Sequence, residues 1–73
     1  MNVNLLRSKM ALKGDFTLSA LAERLELSRP ALTGRLTGEV DWTLAEIRKM
    51  VRFYELTEKE TCEIFGFTIA DEN

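Results

Sequence analysis

Apolar residues along this chain recur at spacings of three and four, which is typical of α-helices with one buried face. No segment alternates apolar and polar residues for long, so the pattern does not favour β-strands. Glycine, proline and capping residues divide the chain into five helical segments. The predicted helices are about residues 4–13, 18–25, 29–37, 44–54 and 58–65.

Capping residues predict where four of these helices begin. Thr17 and Ser28 are the expected N-caps of the second and third helices, and Pro30 suits the first turn of the third. Two capping boxes start the fourth and fifth helices, at Thr43-Leu44-Ala45-Glu46 and Thr57-Glu58-Lys59-Glu60. Apolar pairs around three caps have the spacing of hydrophobic staples, namely Phe16 with Leu21, Leu27 with Leu32, and Trp42 with Ile47.

The helical periodicity also predicts which side chains face the core. On the first three helices they are Val3, Leu6, Met10, Leu18, Leu21, Ala22, Leu25, Leu32 and Leu36. On the fourth helix they are Leu44, Ile47, Val51 and Tyr54. We therefore expect an all-α fold of four to five helices.

The second and third predicted helices are separated only by Glu26-Leu27-Ser28, which is the turn length of a helix-turn-helix. So short a turn packs the two helices closely, through the small side chain of Ala22 and its apolar neighbours. The third helix would then protrude as a cylinder narrow enough to enter the major groove of DNA.

Composition narrows the class of protein. The chain has 73 residues, of which 45% are hydrophobic and 30% charged, as expected for one globular domain. No apolar run approaches the length of a membrane span and the N-terminus does not resemble a signal peptide, so we expect a cytoplasmic location and no membrane partner. With Cys62 as the single cysteine and no histidine, we expect no disulfide, metal site, cofactor or enzyme activity.

Charge is unevenly distributed along the sequence. The formal net charge is −2. Residues 1–38 carry six basic and three acidic side chains, whereas residues 39–73 carry four basic and nine acidic ones. This distribution indicates that the first half could face phosphate while the second faces away from it.

Residues 18–38 resemble the helix-turn-helix of Cro and cI-type phage repressors and of bacterial regulators in the same superfamily. The matching residues are Leu18-Ser19-Ala20-Leu21-Ala22-Glu23-Arg24-Leu25, Leu27-Ser28-Arg29, Leu32-Thr33 and Arg35-Leu36-Thr37-Gly38. Residues 42–47 resemble the start of the fourth helix in small prophage members. The resemblance covers roughly residues 4–65 and leaves 66–73 as a tail. It implies a compact lambda-repressor-like domain that acts in a host bacterial cell and binds operator DNA as a dimer.

The resemblance also implies a set of DNA-binding residues. The recognition positions fall on Ser28, Arg29, Pro30, Thr33, Gly34 and Thr37. Arg29 is the best candidate base reader, because a guanidinium can bind O6 and N7 of guanine together. Arg24 and Arg35 suit phosphate contacts. Thr17 and Ser19 would bring the N-terminus of the second helix, which favours anions, to the DNA backbone.

Four positions depart from the family pattern. Glu26 stands where the family usually has glycine, so we expect it to adopt a positive φ. Leu18 replaces a polar residue that commonly contacts phosphate. Pro30 and Gly34 occupy base-reading positions but have no side-chain donor, so base recognition would depend on Arg29, Thr33 and DNA shape. The alternative is that this surface no longer reads DNA.

Two functions remain open at the level of sequence. The first is a sequence-specific DNA-binding regulator that dimerises through the fifth helix or the tail, by way of Ile64, Phe65, Phe67 and Ile69. The second is an antirepressor that binds and inactivates a partner phage repressor. Its acidic half would cover the basic DNA-reading face of that repressor.

Overall fold

The computed structural model describes residues 1–66, which form five α-helices. The helices are α1 (Val3–Leu12), α2 (Leu18–Leu25), α3 (Arg29–Thr37), α4 (Leu44–Tyr54) and α5 (Glu58–Phe65). There is no β-strand within residues 1–66. The predicted all-helical class is confirmed, and only the bounds of α1 differ from the prediction, by one residue at each end.

Local capping explains why the helices begin where they do. The hydroxyls of Thr17 and Ser28 accept hydrogen bonds from the third backbone N–H of their own helices, at 3.2 Å in both cases. The predicted capping boxes at Thr43 and Thr57 are both closed by their glutamates. These bonds satisfy N–H groups that a helix leaves unpaired in its first turn.

Two helices end at a glutamate in the left-handed conformation, a region that non-glycine residues adopt at some cost. Glu26 closes α2 with φ of 58°, as its position in the predicted turn implies, and Glu55 closes α4 with φ of 51°. The Glu26 N–H group bonds to carbonyls of the last turn of α2. The next residue donates from Leu27 N to Ala22 O at 2.9 Å. Three residues therefore join α2 to α3, as the sequence predicts for this turn.

The helix α4 joins two helix pairs. It packs against α1, which also contacts α5, and against α2, which also contacts α3. A backbone hydrogen bond from Asn2 N to Ile64 O, at 2.8 Å, ties the start of the chain to the end of α5. The buried apolar side chains are Leu6, Met10, Leu21, Ala22, Leu25, Leu32, Met50, Tyr54, Leu56 and Ile64.

One predicted core position and one predicted staple residue are exposed instead. Leu44 is 61% exposed, because the buried stripe of α4 runs through Glu46, Met50 and Tyr54 instead. Phe16, predicted as a staple partner of Leu21, is 70% exposed. Its neighbour Asp15 is buried in its place.

Asp15 is the centre of a hydrogen-bonded network that connects the α1–α2 loop with α2 and α4. Its carboxylate accepts from Arg24 Nε at 2.8 Å, from Arg24 Nη2 at 3.2 Å and from the Tyr54 hydroxyl at 2.8 Å. The hydrogen bond from Arg24 holds the pKa of Asp15 below its usual value, in spite of burial. Burial and the same carboxylate raise the pKa of Tyr54. Asp15 is therefore ionised at neutral pH and stabilises the fold in that form.

We predict that Asp15→Asn lowers the free energy of unfolding at pH 7 by about 2 kcal/mol, because it leaves Arg24 and Tyr54 with a neutral partner. A carboxyl whose pKa is lower in the folded state stabilises that state above its unfolded pKa, and this contribution is lost as the pH falls through the folded pKa. The difference between the two proteins should therefore shrink below about pH 4. Urea unfolding at a series of pH values measures it.

Asp41→Asn is the matched control. Asp41 is exposed in the α3–α4 loop, so its neutralisation should change stability by less than about 0.5 kcal/mol. A difference between wild type and Asp15→Asn that stays constant from pH 7 to pH 3 would contradict the role given to the ionised Asp15.

Candidate functional site

The outer face of α3 is the surface that the sequence singles out for recognition. Arg29, Thr33 and Thr37 are exposed at spacings of four, and the exposed Pro30 precedes Thr33 by three residues, so the four side chains form one row along the helix. The opposite side of α3 is anchored in the core by Leu32, which is 1% exposed. The structure therefore leaves this row accessible to a partner.

The N-termini of α2 and α3 meet at one end of this row. Arg29 Nη1 donates to Ser19 Oγ at 2.7 Å, which connects the first turn of α3 to the first turn of α2. Thr17, Ser19 and Arg29 line a shallow depression between the two helices, and Glu23 also lines it. The structure thus brings three of the predicted site residues together, with one carboxylate beside them.

Ser28 and Thr37 are exposed but already hydrogen-bonded within α3. Ser28 caps the helix through its oxygen, and the Thr37 hydroxyl donates to Gly34 O at 3.2 Å. The Ser28 hydroxyl retains its own proton for donation, because capping uses only its acceptor lone pair. Thr37 would have to give up its bond to Gly34 before it could donate to a partner.

Gly34, a predicted recognition position, does not lie on the exposed row of α3. Gly34 is buried, and a Cβ atom at this position would lie 3.3 Å from Val40 Cγ2. The α3–α4 loop folds back over it and donates from Val40 N to Gly34 O at 3.1 Å. Glycine at this position allows the close approach of the loop to α3.

Arg35, for which a phosphate contact is predicted, already has partners inside the protein. Its side chain is 15% exposed and pairs with Glu46, Nε to Oε1, at 2.8 Å. It also donates to Ala31 O at 3.1 Å. Although burial opposes ionisation of Glu46, the hydrogen bonds from Arg35 and from Thr43 N hold its pKa below the usual value. Arg35 therefore fastens α3 to the start of α4.

Arg24, for which a phosphate contact is also predicted, has an internal partner as well. Its guanidinium binds Asp15 in a bidentate manner and lies 5.5 Å from the centre of the Phe53 ring. The first partner lies in the α1–α2 loop and the second on α4. Asp15 and Phe53 lie nine and 29 residues from Arg24 in sequence, so no local motif announces either contact.

Ion pairs between the two halves of the chain offset part of the charge asymmetry of the sequence. Lys9 pairs with Glu60 at 3.0 Å and Lys13 with Glu55 at 2.5 Å, so basic groups of the first half neutralise acidic groups of the second. After pairing, residues 1–38 retain two cations and two carboxylates without an ion-pair partner among the described residues, which are Arg7, Arg29, Glu23 and Glu26. Among the described side chains, pairing therefore leaves residues 1–38 without an excess of unpaired cations over unpaired carboxylates.

The predicted dimer contacts are only partly within the structure. Ile64 is completely buried under α1, so it cannot also contact a second subunit. Phe65 packs edge-to-face against Trp42, with ring centroids 5.6 Å apart and planes at 81°. Phe67 and Ile69 lie outside the described residues.

Two further kinds of feature, a membrane-spanning helix and a metal site, were considered for residues 1–66. None of its helices has the length and apolar character needed to cross a bilayer. Within residues 1–66, no three acidic, cysteine or histidine side chains are grouped as metal ligands would be. Comparisons of the chain with protein-family models, curated proteins and solved structures find no match.

The packing at Gly34 leads to a prediction about stability. Gly34→Ala should raise the free energy of unfolding by about 0.5 kcal/mol, because alanine favours the helix by about 1 kcal/mol and Val40, which is 46% exposed, can move slightly. Gly34→Leu should lower it by about 1–3 kcal/mol, because the longer side chain displaces the loop. Urea unfolding measures both effects.

Thr33→Leu is the control for the size of the new side chain, since Thr33 is exposed on the same helix. It should alter stability by less than about 0.5 kcal/mol. If leucine were tolerated equally well at positions 33 and 34, the close packing of the loop on Gly34 would be refuted.

Proposed function

We propose that the protein is a DNA-binding transcriptional regulator of the Cro/cI type, in which α2 and α3 act as a helix-turn-helix. The observation that carries the proposal is the exposed row on α3, which begins at Arg29 and is supported from behind by Leu32. A helix presented in this way has the diameter that fits the major groove. Its first turn, rather than its middle, provides the polar contacts.

Arg29 reads the bases in this proposal. Its hydrogen bond to Ser19 engages Nη1 and restricts the side chain, so less conformational entropy is lost on binding. The Nε–Nη2 edge can then donate to O6 and N7 of one guanine. Pro30 and Thr33 follow on the same row and contribute apolar and hydroxyl contacts.

Phosphate contacts come from the ends of the two helices more than from basic side chains. Thr17 and Ser28 lie at the N-termini of α2 and α3, where backbone N–H groups and the helix dipole favour an anion. Arg24 and Arg35 support the fold and take no part. A dimer with half-sites about one turn of DNA apart doubles this limited set of contacts.

We expect Arg29→Ala to reduce the preference for operator DNA over random duplex by about 1–3 kcal/mol, because it removes the bidentate guanine contact. Arg29→Lys should lose most of the same preference, since an ammonium group retains the charge but cannot form paired hydrogen bonds. Gel shifts on the DNA upstream of the protein's own coding sequence, with a scrambled duplex for comparison, measure the preference.

Lys59→Ala is the matched control, because Lys59 is an exposed cation in the first turn of α5. It should leave the operator preference unchanged. If Arg29→Ala and Lys59→Ala bind both duplexes as wild type does, Arg29 is not the base reader. If wild type binds no duplex at low salt, the DNA-binding proposal itself is wrong.

The second candidate function is an antirepressor that binds a partner phage repressor. It is favoured by the carboxylates around the α2–α3 unit: Glu23 shares the depression with Arg29, Glu26 is exposed in the turn, and Glu39 and Asp41 are exposed beyond α3. Among the described residues of α2 and α3, Arg29 is the one cation without a carboxylate partner. Such a surface repels phosphate and complements a basic DNA-reading face.

Under this second proposal, Glu23→Gln with Glu26→Gln should weaken binding to the purified repressor encoded beside this protein by at least about tenfold. Glu58→Gln with Glu63→Gln, which neutralises exposed carboxylates on α5, is the control and should have no effect. Release of the repressor from its operator, followed by fluorescence anisotropy of labelled operator DNA, is the measurement. Failure of the wild-type protein to release the repressor would exclude the antirepressor.

A further inference from the structure

The outer face of α4 carries a group of cations that neither of the functions proposed above uses. Arg48, Lys49 and Arg52 are exposed, and none of them has an ion-pair partner among residues 1–66. Arg48 and Arg52 are each two residues from the buried Met50, which places them about 160° around the helix from it. Lys49 precedes Arg52 by three residues and lies on the same side. We call these three residues the α4 cationic face.

No carboxylate lies among the exposed residues of α4. Glu46 in the first turn and Glu55 at the C-cap are both engaged in ion pairs with cations from outside the helix. The exposed residues of the helix are Leu44, Ala45, Arg48, Lys49, Arg52 and Phe53. The α4 cationic face therefore differs from the surroundings of Arg29, where Glu23 lines the same depression.

Helix stability does not favour the arrangement of these cations. Like charges three or four residues apart on a helix repel each other, and Arg52 has this spacing to both Lys49 and Arg48. The helix dipole favours a cation in the last turn, which applies to Arg52 but not to the other two. Elsewhere in residues 1–66, four basic side chains are paired with carboxylates. A group of unpaired like charges is therefore suited to an anionic partner.

The neighbours of the α4 cationic face favour a phosphate backbone over a membrane or a protein as that partner. Leu44 and Phe53 border the face, but they are nine residues apart, which at about 100° per residue puts them on opposite sides of the helix. They therefore form no single apolar patch that could enter a bilayer. Among the exposed residues of α4, Ala45 is the one apolar side chain within the face, whereas a stable protein interface needs a desolvated apolar centre. Binding to a phosphate backbone needs only charge.

We propose that the α4 cationic face binds the phosphate backbone of duplex DNA without regard to base sequence. This extends the proposed DNA-binding function from α3 to α4 and rests on that function for the kind of partner. Each of the three cations neutralises about one phosphate and releases its counterion, so binding weakens as salt rises. Arg29 then supplies the preference for one sequence, and α4 supplies affinity that all sequences share.

Arg48→Gln with Arg52→Gln should lower the affinity for a random duplex by at least about tenfold at about 50 mM salt, and should reduce the slope of log K against log salt by about 2. Glutamine has nearly the helix propensity of arginine, so the fold is kept. Arg48→Lys with Arg52→Lys should bind nearly as wild type does, because lysine retains the charge that a phosphate contact needs. Fluorescence anisotropy of a labelled random duplex, titrated between about 50 and 200 mM salt, measures both quantities.

Arg7→Gln with Lys59→Gln is the matched control, because it removes two exposed and unpaired cations from α1 and α5 and gives the same net charge. Its affinity and salt slope should remain close to those of wild type. Equal weakening by the two pairs of substitutions, or no weakening by the α4 pair, would overturn the proposal. Binding of the wild-type protein to vesicles containing phosphatidylserine, but to no duplex, would overturn it as well.

The ratio of operator to random-duplex affinity separates this proposal from base reading by α3. The α4 pair of substitutions should weaken both duplexes alike and leave the ratio unchanged. If wild type shows no operator preference while the α4 pair still loses random-duplex binding, the role of α4 stands and base reading by Arg29 fails. If operator preference is present and the α4 pair binds as wild type does, base reading stands and the role of α4 fails.

Discussion

The position of α3 depends on the partly buried ion pair between Arg35 and Glu46. The Glu46 carboxylate receives Arg35 from α3 and the backbone N–H of Thr43 from its own capping box, so one side chain both starts α4 and holds α3. Charged groups out of water stabilise a structure only when their hydrogen bonds are satisfied, and this arrangement satisfies them. With the inner side of α3 held in this way, the row beginning at Arg29 faces outward.

Internal ion pairs reduce the number of basic side chains that remain available to bind a partner. Four basic side chains are engaged in ion pairs within residues 1–66, and two of these, Arg24 and Arg35, belong to the segment that was expected to contact phosphate. Recognition by α3 therefore relies on Arg29, hydroxyl groups and helix N-termini. The two candidate functions share this surface and differ in the sign of charge that they require of the partner, which is why a DNA titration and a repressor titration separate them.

The two ends of α3 contact different parts of the protein. At its N-terminus, Arg29 and Ser19 join α3 to α2 and offer donors to a partner. At its C-terminus, Leu36 and the loop that covers Gly34 line a groove together with Trp42.

The sequence by itself determined the features that depend on neighbours within four residues. Helix starts at Thr17, Ser28, Thr43 and Thr57, and the left-handed turn at Glu26, follow from local hydrogen bonding and steric limits on φ. Only the tertiary structure decided the partners of Asp15, Arg24, Gly34, Arg35 and Trp42, and which face of α4 is buried. Those outcomes depend on contacts between residues six to 39 apart along the chain, as from Gly34 to Val40 and from Asp15 to Tyr54. Helical periodicity carries no information about such contacts, because it records that a side chain is apolar or charged and not which distant group it will meet.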